Sequence, residues 1–390
     1  MASTPARQHP GAAAPLDICI RGNGIVAHTL ALLLARERLR IGLYTGAPVP
    51  SSSAATPAPA RVEDVRAYAL NNASRALLQS LRVWPPEDLA TPVRHMAVYG
   101  DEGGQVRFDA GLQKAEALNW IVDVPALEQR LAQAVQYQAH VELLAQPAPA
   151  ALTVVCEGRD SRTRAEFGVQ YQATAYGQRG IAARLHAAQP HGQTARQWLA
   201  PLDRPGEVLA LLPLGGPHGH EVALVWSAAD AHADTLMALS DEDFAAQVAQ
   251  ASGHALGELR LSSARAQWPL QLAQASAWVG PGFALAGDAA HTVHPLAGQG
   301  LNLGLGDAAE LARVVHAREP HRALGDLQLL RRYERARKLD SQAMRLATDG
   351  LFLLFAQTPA PVRGLRNWGM RLFDHSGPLK HWVARRAMGV

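Results

Sequence analysis

Three stretches of this 390-residue chain predict an α/β protein: a domain opened by a β-α-β unit, interrupted by a mostly antiparallel sheet and followed by C-terminal helices. Residues 16–46, LDICIRGNGIVAHTLALLLARERLRIGLYTG, run from apolar strand through a glycine turn to a helix and a second strand. From about 176 the pattern changes to strands, AYGQRGIAARLHA, VLALLPL and EVALVWS, the last two separated by the turn-like GGPHGH. Residues 283–306 run from an apolar strand, FALAGD, through a glycine-rich turn into a long helix.

The elements between follow in order. Residues 47–60, APVPSSSAATPAPA, read as a loop or linker. Helical patterning is expected over 66–84, with Leu70, Leu77, Leu78 and Leu81 on one side, and again over 124–139. Ser240 followed by Asp243 predicts a capped start for DEDFAAQVAQASG. Helices are expected from about 302 to the end, with no internal repeat and no coiled-coil heptads.

Composition is that of a globular chain, 48% hydrophobic and 18% charged, which excludes wholesale disorder. The net charge of +3 is nearly all arginine and is scattered, since Lys114, Lys338 and Lys380 are the lysines, so no basic, aromatic-laced face for nucleic acid is expected. The C-terminal third is the more basic, with Arg331, Arg332, Arg335, Arg337, Lys338, Arg363, Arg366, Arg371, Arg385 and Arg386. A solvated helix face is the plain reading of these residues, and contact with an anionic membrane surface the sharper one. Cys19 and Cys156 lie in apolar runs as small buried hydrophobes, giving neither a disulfide framework nor zinc spacing. Residues 1–15 lack an apolar signal core and read as a disordered tail, and no run reaches the ~18 apolar residues of a membrane span. A cytoplasmic protein is expected.

The glycines carry the chemistry. Gly22, Gly24 and Ala27 fit G-x-G-x-x-A: a tight turn, close approach of a pyrophosphate, and helix–strand packing. This makes the opening unit Rossmann-like, with a helix N-terminus facing phosphates. An acid is expected about 20 residues on to hold ribose hydroxyls, and Thr45 stands there instead, which predicts weakened dinucleotide affinity. In GDAAHTVHPLAGQGLNLGLG, Asp288 ends the strand as a carboxylate for a polyol or ribose. Pro295, Gly298 and Gly300 shape a turn before a helix whose N-terminal amides are free, a nest for negative charge. A reduced flavin carries such charge near N1 and the C2 carbonyl, so the geometry suits an isoalloxazine ring. His291 and His294 lack a metal set beyond Asp288 and read as polar packing beside the cofactor.

With those residues in place, the chain resembles the class A flavoprotein aromatic hydroxylases, and specifically the ubiquinone-biosynthesis hydroxylase family. The resemblance rests on GDAAHTVHPLAGQGLNLGLGDAAELA and extends over VRAYALNNASRALLQSLRVW, the strands from 176 and the C-terminal helices. It implies a Rossmann-like FAD-binding domain of 16–175 and 264–330, an inserted mostly antiparallel β-sheet substrate domain of 176–263, and a C-terminal helical region of 331–390. It also implies Arg66 near the flavin, Asp288 on the ribityl chain, and amides from Gly298 through Gln299, Gly300 and Leu301 to Asn302 on the flavin's N1/C2=O edge. The implied reaction is ring hydroxylation of a polyprenylated phenol with NADH or NADPH and O2, through a C4a-hydroperoxide. The prenyl tail implies an apolar tunnel and access to a membrane or a biosynthetic assembly, with GLFLLFAQ (350–357) and NWGMRLF (367–373) as candidate surfaces.

Three departures stand out. Thr45 replaces the ribose-binding acid. The family's middle motif A-D-G-x-x-S-x-x-R reads CEGRDSRTR, so Glu157 stands for aspartate while Gly158, Ser161 and Arg164 remain. The chain between Leu131 and Leu152 is shorter than the family's strand-rich connection. A non-catalytic member serving as a protein partner predicts a colourless protein, and an oxygenase of another aromatic predicts indifference to prenyl length.

Overall fold

The computed structural model describes residues 15–46, 64–216, 218–292, 299–356 and 360–389; side chains are left aside at 343–345, 347–349, 351–354, 356 and 360–362. The expected tail and the linker at 47–60 therefore lie outside the described residues, apart from Pro15. Ten helices are described: Ile25–Ala35 (α1), Asn72–Ser80 (α2), Val124–Gln136 (α3), Arg162–Glu166 (α4), Asp230–Ala238 (α5), Asp241–Ala251 (α6), Gly300–His316 (α7), Leu327–Ala356 (α8), Ala360–Asp374 (α9) and Pro378–Met388 (α10).

Six strands form the first sheet: Leu16–Arg21 (β1), Ile41–Tyr44 (β2), Val141–Leu144 (β8), Ala150–Val155 (β9), Val279–Gly280 (β16) and Phe283–Leu285 (β17), in the order β16-β17-β9-β1-β2-β8. Except for the antiparallel β16–β17 pair the ladder is parallel, with Ile18 beside both Ile41 and Leu152. A parallel sheet covered on both faces needs apolar strands throughout, which is why Ile18, Cys19 and Ile20 are all fully buried. Residues 145–149 alone join β8 to β9, with no strand between them.

The second sheet gathers Tyr171–Ala187 (β10), Thr194–Leu199 (β11), Val208–Pro213 (β12), Glu221–Ala229 (β13), Leu259–Leu261 (β14), Ala266–Ala275 (β15) and His291–Thr292 (β18), extended by His95–Tyr99 (β5) and Gln105–Asp109 (β6). All its pairs are antiparallel except β11–β5. It thus takes strands from both sides of 176–263, and β10 begins at Tyr171. Ile181, Leu224 and Trp226 pack with Phe244 and Val248 of α6, whose Ser240 cap accepts from Asp243 N as the sequence predicts.

A three-stranded sheet completes the set: Ala67–Leu70 (β3), Ala90–Val93 (β4) and Asn119–Asp123 (β7), in the order β3-β7-β4. Here the structure corrects one expectation. The helix read over 66–84 begins only at Asn72, because Ala67–Leu70 pairs with β7, Leu70 opposite Trp120. Asn71 starts α2 by accepting from Ser74 N.

Candidate active site

The glycine turn after β1 has two different reasons for glycine. Gly22 takes φ +149°, and a Cβ there would run into the Cys156 carbonyl at the end of β9. Gly24 is the N-cap of α1 with ordinary extended backbone, no side-chain cap and open space where a Cβ would stand. The first amides of α1 therefore face an unobstructed surface, the arrangement that receives phosphate. Ala27 is fully buried, as its packing role requires. Gly304 of α7 lets Val26 approach; a Cβ there would sit 2.8 Å from Val26 Cγ2. The two glycines predict opposite phenotypes. Gly22→Ala is expected to lose about 1–3 kcal/mol of stability by overpacking, read as a lowered urea midpoint. Gly24→Val is expected to keep the fold and to weaken FAD binding roughly ten-fold, through lost phosphate–helix attraction of about 1 kcal/mol or more, read by flavin titration.

Thr45 follows β2 directly, half-buried. Arg66 stands before β3, its guanidinium held by Asp64 at 2.6–3.1 Å and near Glu128 at 3.4 Å. Asp288 lies in a single 3-10 turn, Gly287–Ala289, after β17. Its side chain is open to solvent, yet the surrounding protein raises its carboxyl above the usual range, His291 and Arg159 pulling the other way. Asp288 also bears electrostatically on Tyr68 of β3, whose phenol is pushed up first by burial. Tyr171 closes the other side, its hydroxyl donating to Asp288 O at 2.8 Å and lying 2.8 Å from Thr292 Oγ1. Arg66 and Asp288 thus share surroundings with Tyr68; this residue and Tyr171 were not among those read from sequence.

The middle motif is a self-contained clamp. Glu157 accepts from Ser161 Oγ at 2.7 Å, Thr163 Oγ1 at 2.6 Å and Thr163 N at 3.2 Å, so its carboxylate organises the start of α4. Gly158 takes φ +79°, a left-handed turn. Arg164 donates to Ala289 O at 3.1 Å and to Arg159 O at 2.8 Å while stacked 3.6 Å from the Tyr171 ring centroid. The motif thereby braces the loop that carries Asp288.

At the third corner, α7 opens with Gln299 as N-cap and no side-chain cap, and a Cβ on Gly300 would meet open space. Leu301 is partly buried against the main core. Asn302 is spent on structure: its Oδ1 accepts from Asn71 N at 3.0 Å and Ser74 Oγ at 2.7 Å, and its Nδ2 donates to Ala69 O at 2.8 Å. The Asn302 side chain is thus engaged within the protein, and the first-turn amides of α7 are the candidate donors here. Pro295, Gly298 and His294 lie outside the described residues.

Behind this corner sits a buried polar hub. Asp307 accepts from Gly287 N at 2.9 Å and His291 Nε2 at 2.7 Å on one oxygen, and from Arg337 Nε at 2.8 Å on the other. His291 stacks on Trp278 at 4.6 Å, the polar packing expected of it; among the described residues no group of three or more His, Cys, Asp or Glu side chains is gathered as a metal set. The signal that could have found Asp307 is an acid set among small and apolar residues in LNLGLGDAAELA: a carboxylate on an apolar helix face requires partners.

Gln299 also lines an apolar cavity of about 560 Å³ between the large sheet and the C-terminal helices. Val98, Phe108, Leu199 and Val208 form its sheet wall, and Phe355, Met370, Phe373, Val383 and Met388 its helical wall. Of the two surfaces proposed from sequence, 367–373 divides: Met370 and Phe373 face the cavity while Trp368 is exposed. Of 350–357, Phe355 lines the cavity, and the side chains of 351–354 and residue 357 lie outside the described residues. Asn119 is one of its few polar residues, its Oδ1 buried without a hydrogen-bond partner among the described residues.

These parts fit FAD: an uncapped α1 with room at Gly24, a carboxylate at Asp288, and a second uncapped N-terminus at α7. The chain matches the FAD binding domain family over residues 126–347. It is 30% identical over 401 residues to a protein named 3-demethoxyubiquinol 3-hydroxylase from Escherichia coli (strain K12), covering 96% of this chain and 99% of that one. It is 31% identical to one named ubiquinone hydroxylase UbiL from Rhodospirillum rubrum, covering 96% and 90%. In fold it is similar to PqsL, described as a probable FAD-dependent monooxygenase from Pseudomonas aeruginosa, with TM-score 0.73, 21% identity, and coverage of 91% of this chain and 99% of that one. The glycine turn, the Asp288 loop and the uncapped α7 are the candidate cofactor-binding parts, and the chain belongs to the ubiquinone-biosynthesis family of FAD-dependent hydroxylases.

Proposed function

We propose that this chain is an FAD-dependent monooxygenase that hydroxylates the aromatic ring of a polyprenylated phenol in ubiquinone biosynthesis, with NADH or NADPH as transient reductant. The observation that carries this reading is the apolar cavity reaching Gln299 at the mouth of α7, which sets a tail-sized space beside the amides that would face the flavin. Bound FAD supplies electron transfer and oxygen activation. The balance is one ring C–H, one O2, one NAD(P)H and one proton to C–OH, NAD(P)+ and water.

The chain's own residues bind and orient. Amides after Gly22 and Gly24 hold the pyrophosphate, Asp288 the ribityl hydroxyls, and the first amides of α7 the N1/C2=O edge, with Arg66 alongside. Thr45 offers the ribose one hydrogen bond in place of a carboxylate pair, and Glu157 with Gly158 shapes the loop beneath. Residues 16–175 and 264–330 act as the FAD-binding part, except that β5 and β6 join 176–263 on the substrate side, and 331–390 act as the cavity's closing wall. The protein reaches its substrate from the cytoplasmic side, as a peripheral visitor to the inner membrane or within a biosynthetic assembly.

The visible spectrum tests this first: flavin bands that survive desalting, then NAD(P)H oxidation coupled to a hydroxylated prenyl phenol. A colourless protein that excess FAD cannot load overturns the reading in favour of a non-catalytic partner. Thr45→Glu is expected to tighten FAD binding about ten-fold, the worth of a charge-assisted hydrogen bond, in the same titration. Asn119 meets the phenol hydroxyl in this reading. Asn119→Leu is expected to lower kcat/KM about ten-fold, one hydrogen bond's worth, with the flavin spectrum unchanged; unaltered kinetics would remove Asn119 from the substrate site.

A further inference from the structure

The C-terminal helices have two faces of different chemistry. On α9, Arg366 and Asn367 are buried, and Gly369, Met370 and Phe373 line the cavity. The other side carries Leu365, Trp368 and Leu372 at i, i+3 and i+7, exposed at 66%, 61% and 56%. On α10, Val383, Ala384, Ala387 and Met388 line the cavity, while Leu379 and Trp382 are 54% and 64% exposed. Five large apolar side chains on two consecutive helices form no part of the core.

The two helices themselves carry mostly positive charge, although Arg363 is paired with Asp101, Glu102 and Asp203. Residues 360–389 hold six basic residues against one acid, Asp374, and that acid is paired with Lys380 at 2.7 Å. Arg371, Arg385 and Arg386 are exposed. The helices are rigidly mounted: Arg366 pairs with Asp101, and Asn367 donates to Asp101 Oδ1 at 2.7 Å and accepts from Gly104 N at 3.0 Å. None of the helices, over the described residues, is long and apolar enough to cross a membrane.

We propose that the outer faces of α9 and α10 dock on an anionic lipid bilayer. Exposed tryptophans and leucines flanked by arginines are the composition of helices that lie in the headgroup region, and mostly positive charge matches an anionic leaflet. A second protein copy would bring the same arginines against one another, which disfavours it as the occupant. Because the same two helices wall the cavity from inside, a molecule leaving the bilayer at this face meets the cavity across a single layer of helix. The purpose of the docking, delivery of a prenylated phenol, rests on the hydroxylase reading; the docking itself does not.

The test is flotation of the full-length, FAD-loaded protein with vesicles, without substrate. Vesicles containing phosphatidylglycerol are expected to bind at least about ten-fold more tightly than phosphatidylcholine alone, and less so in high salt. Trp368→Glu with Leu372→Glu, and separately Arg385→Glu with Arg386→Glu, are each expected to lose about ten-fold or more of that binding. Both should keep the flavin spectrum and turnover of a tail-less phenol. Absent vesicle binding, undiminished binding by both variants, or a wild-type dimer that dissociates on Trp368→Glu would overturn the proposal, the last assigning the face to a second copy. Vesicle binding by a protein that hydroxylates no phenol would uphold the docking and overturn the hydroxylase reading alone.

Discussion

Asp307→Asn is expected to cost about 3–5 kcal/mol of stability, the loss that follows when one partner of a buried ion pair is removed. That is a large share of a net stability of roughly 5–15 kcal/mol. Both Asp307 oxygens are in use, one by Gly287 N and His291 and the other by Arg337. An amide can offer an acceptor to one side only, so its NH2 must oppose either the Arg337 guanidinium or the Gly287 and His291 donors. Because Gly287 adjoins Asp288, the same change should loosen FAD, and urea midpoints with and without FAD separate the two effects. Replacing both partners, Asp307→Leu with Arg337→Leu, is expected to cost less than the sum of the two single changes, since no unpaired partner of the ion pair is left, although Gly287 N and His291 lose their acceptor. Additive costs would refute the pairing. Burial pushes the Asp307 carboxyl up, and His291 with Arg337 more than reverse this, leaving it below its ordinary range. A depressed carboxyl contributes stability that is present above the unfolded value of about 3.9 and is lost as pH falls through the folded value. Wild type should therefore lose this contribution in acid, and Asp307→Asn should show a flatter acid limb.

What the sequence disclosed depended on the range of the interaction. The opening β-α-β unit, the α6 cap and the helix after the glycine turn are set by local rules of turn chemistry and periodicity, and they stand where those rules put them, whereas the strand read as far as Asp288 stops at Leu285 and leaves Asp288 in a 3-10 turn. AYAL at 67–70 suits either period, and pairing with β7, some fifty residues away, decides it as strand. The candidate glycines were legible from their spacing in short stretches; Gly22 answers a backbone demand, while Gly24 and Gly300 leave open space at a helix start. Asp307 was not legible, because its three partners come from β17's end, β18 and α8. The cavity is the extreme case: β5 and β6 meet α9 and α10 across more than 250 residues, and no local pattern in either segment announces the other.

That cavity carries the other large expected effect. Gly369 lines it from α9, and a Cβ there meets open space, so Gly369→Trp should occupy the α9 side of the cavity and leave the Asn119 side, where the ring sits in this reading, open. Removing a mid-helix glycine adds helix propensity, so stability and the flavin spectrum should hold. The kinetic consequence depends on where the tail starts. One five-carbon prenyl unit moved from water into the cavity gains up to about 4 kcal/mol at roughly 0.8 kcal/mol per carbon, a factor of about 10³ in kcat/KM. Wild type should show much of that gain between a tail-less phenol and one bearing a single prenyl unit, both presented in water, and Gly369→Trp should erase most of it. A long tail that begins in a bilayer is already out of water, so burial in the cavity adds little affinity. What the cavity then contributes is placement of the ring, and a displaced ring loses rate even when it is still bound. With vesicle-borne substrate the variant should therefore lose kcat more than KM, about 10²-fold for a misplacement of an ångström. Equal slowing of tailed and tail-less phenols by Gly369→Trp would show that the cavity does not hold the tail, because only the tailed substrate competes with the indole for that space.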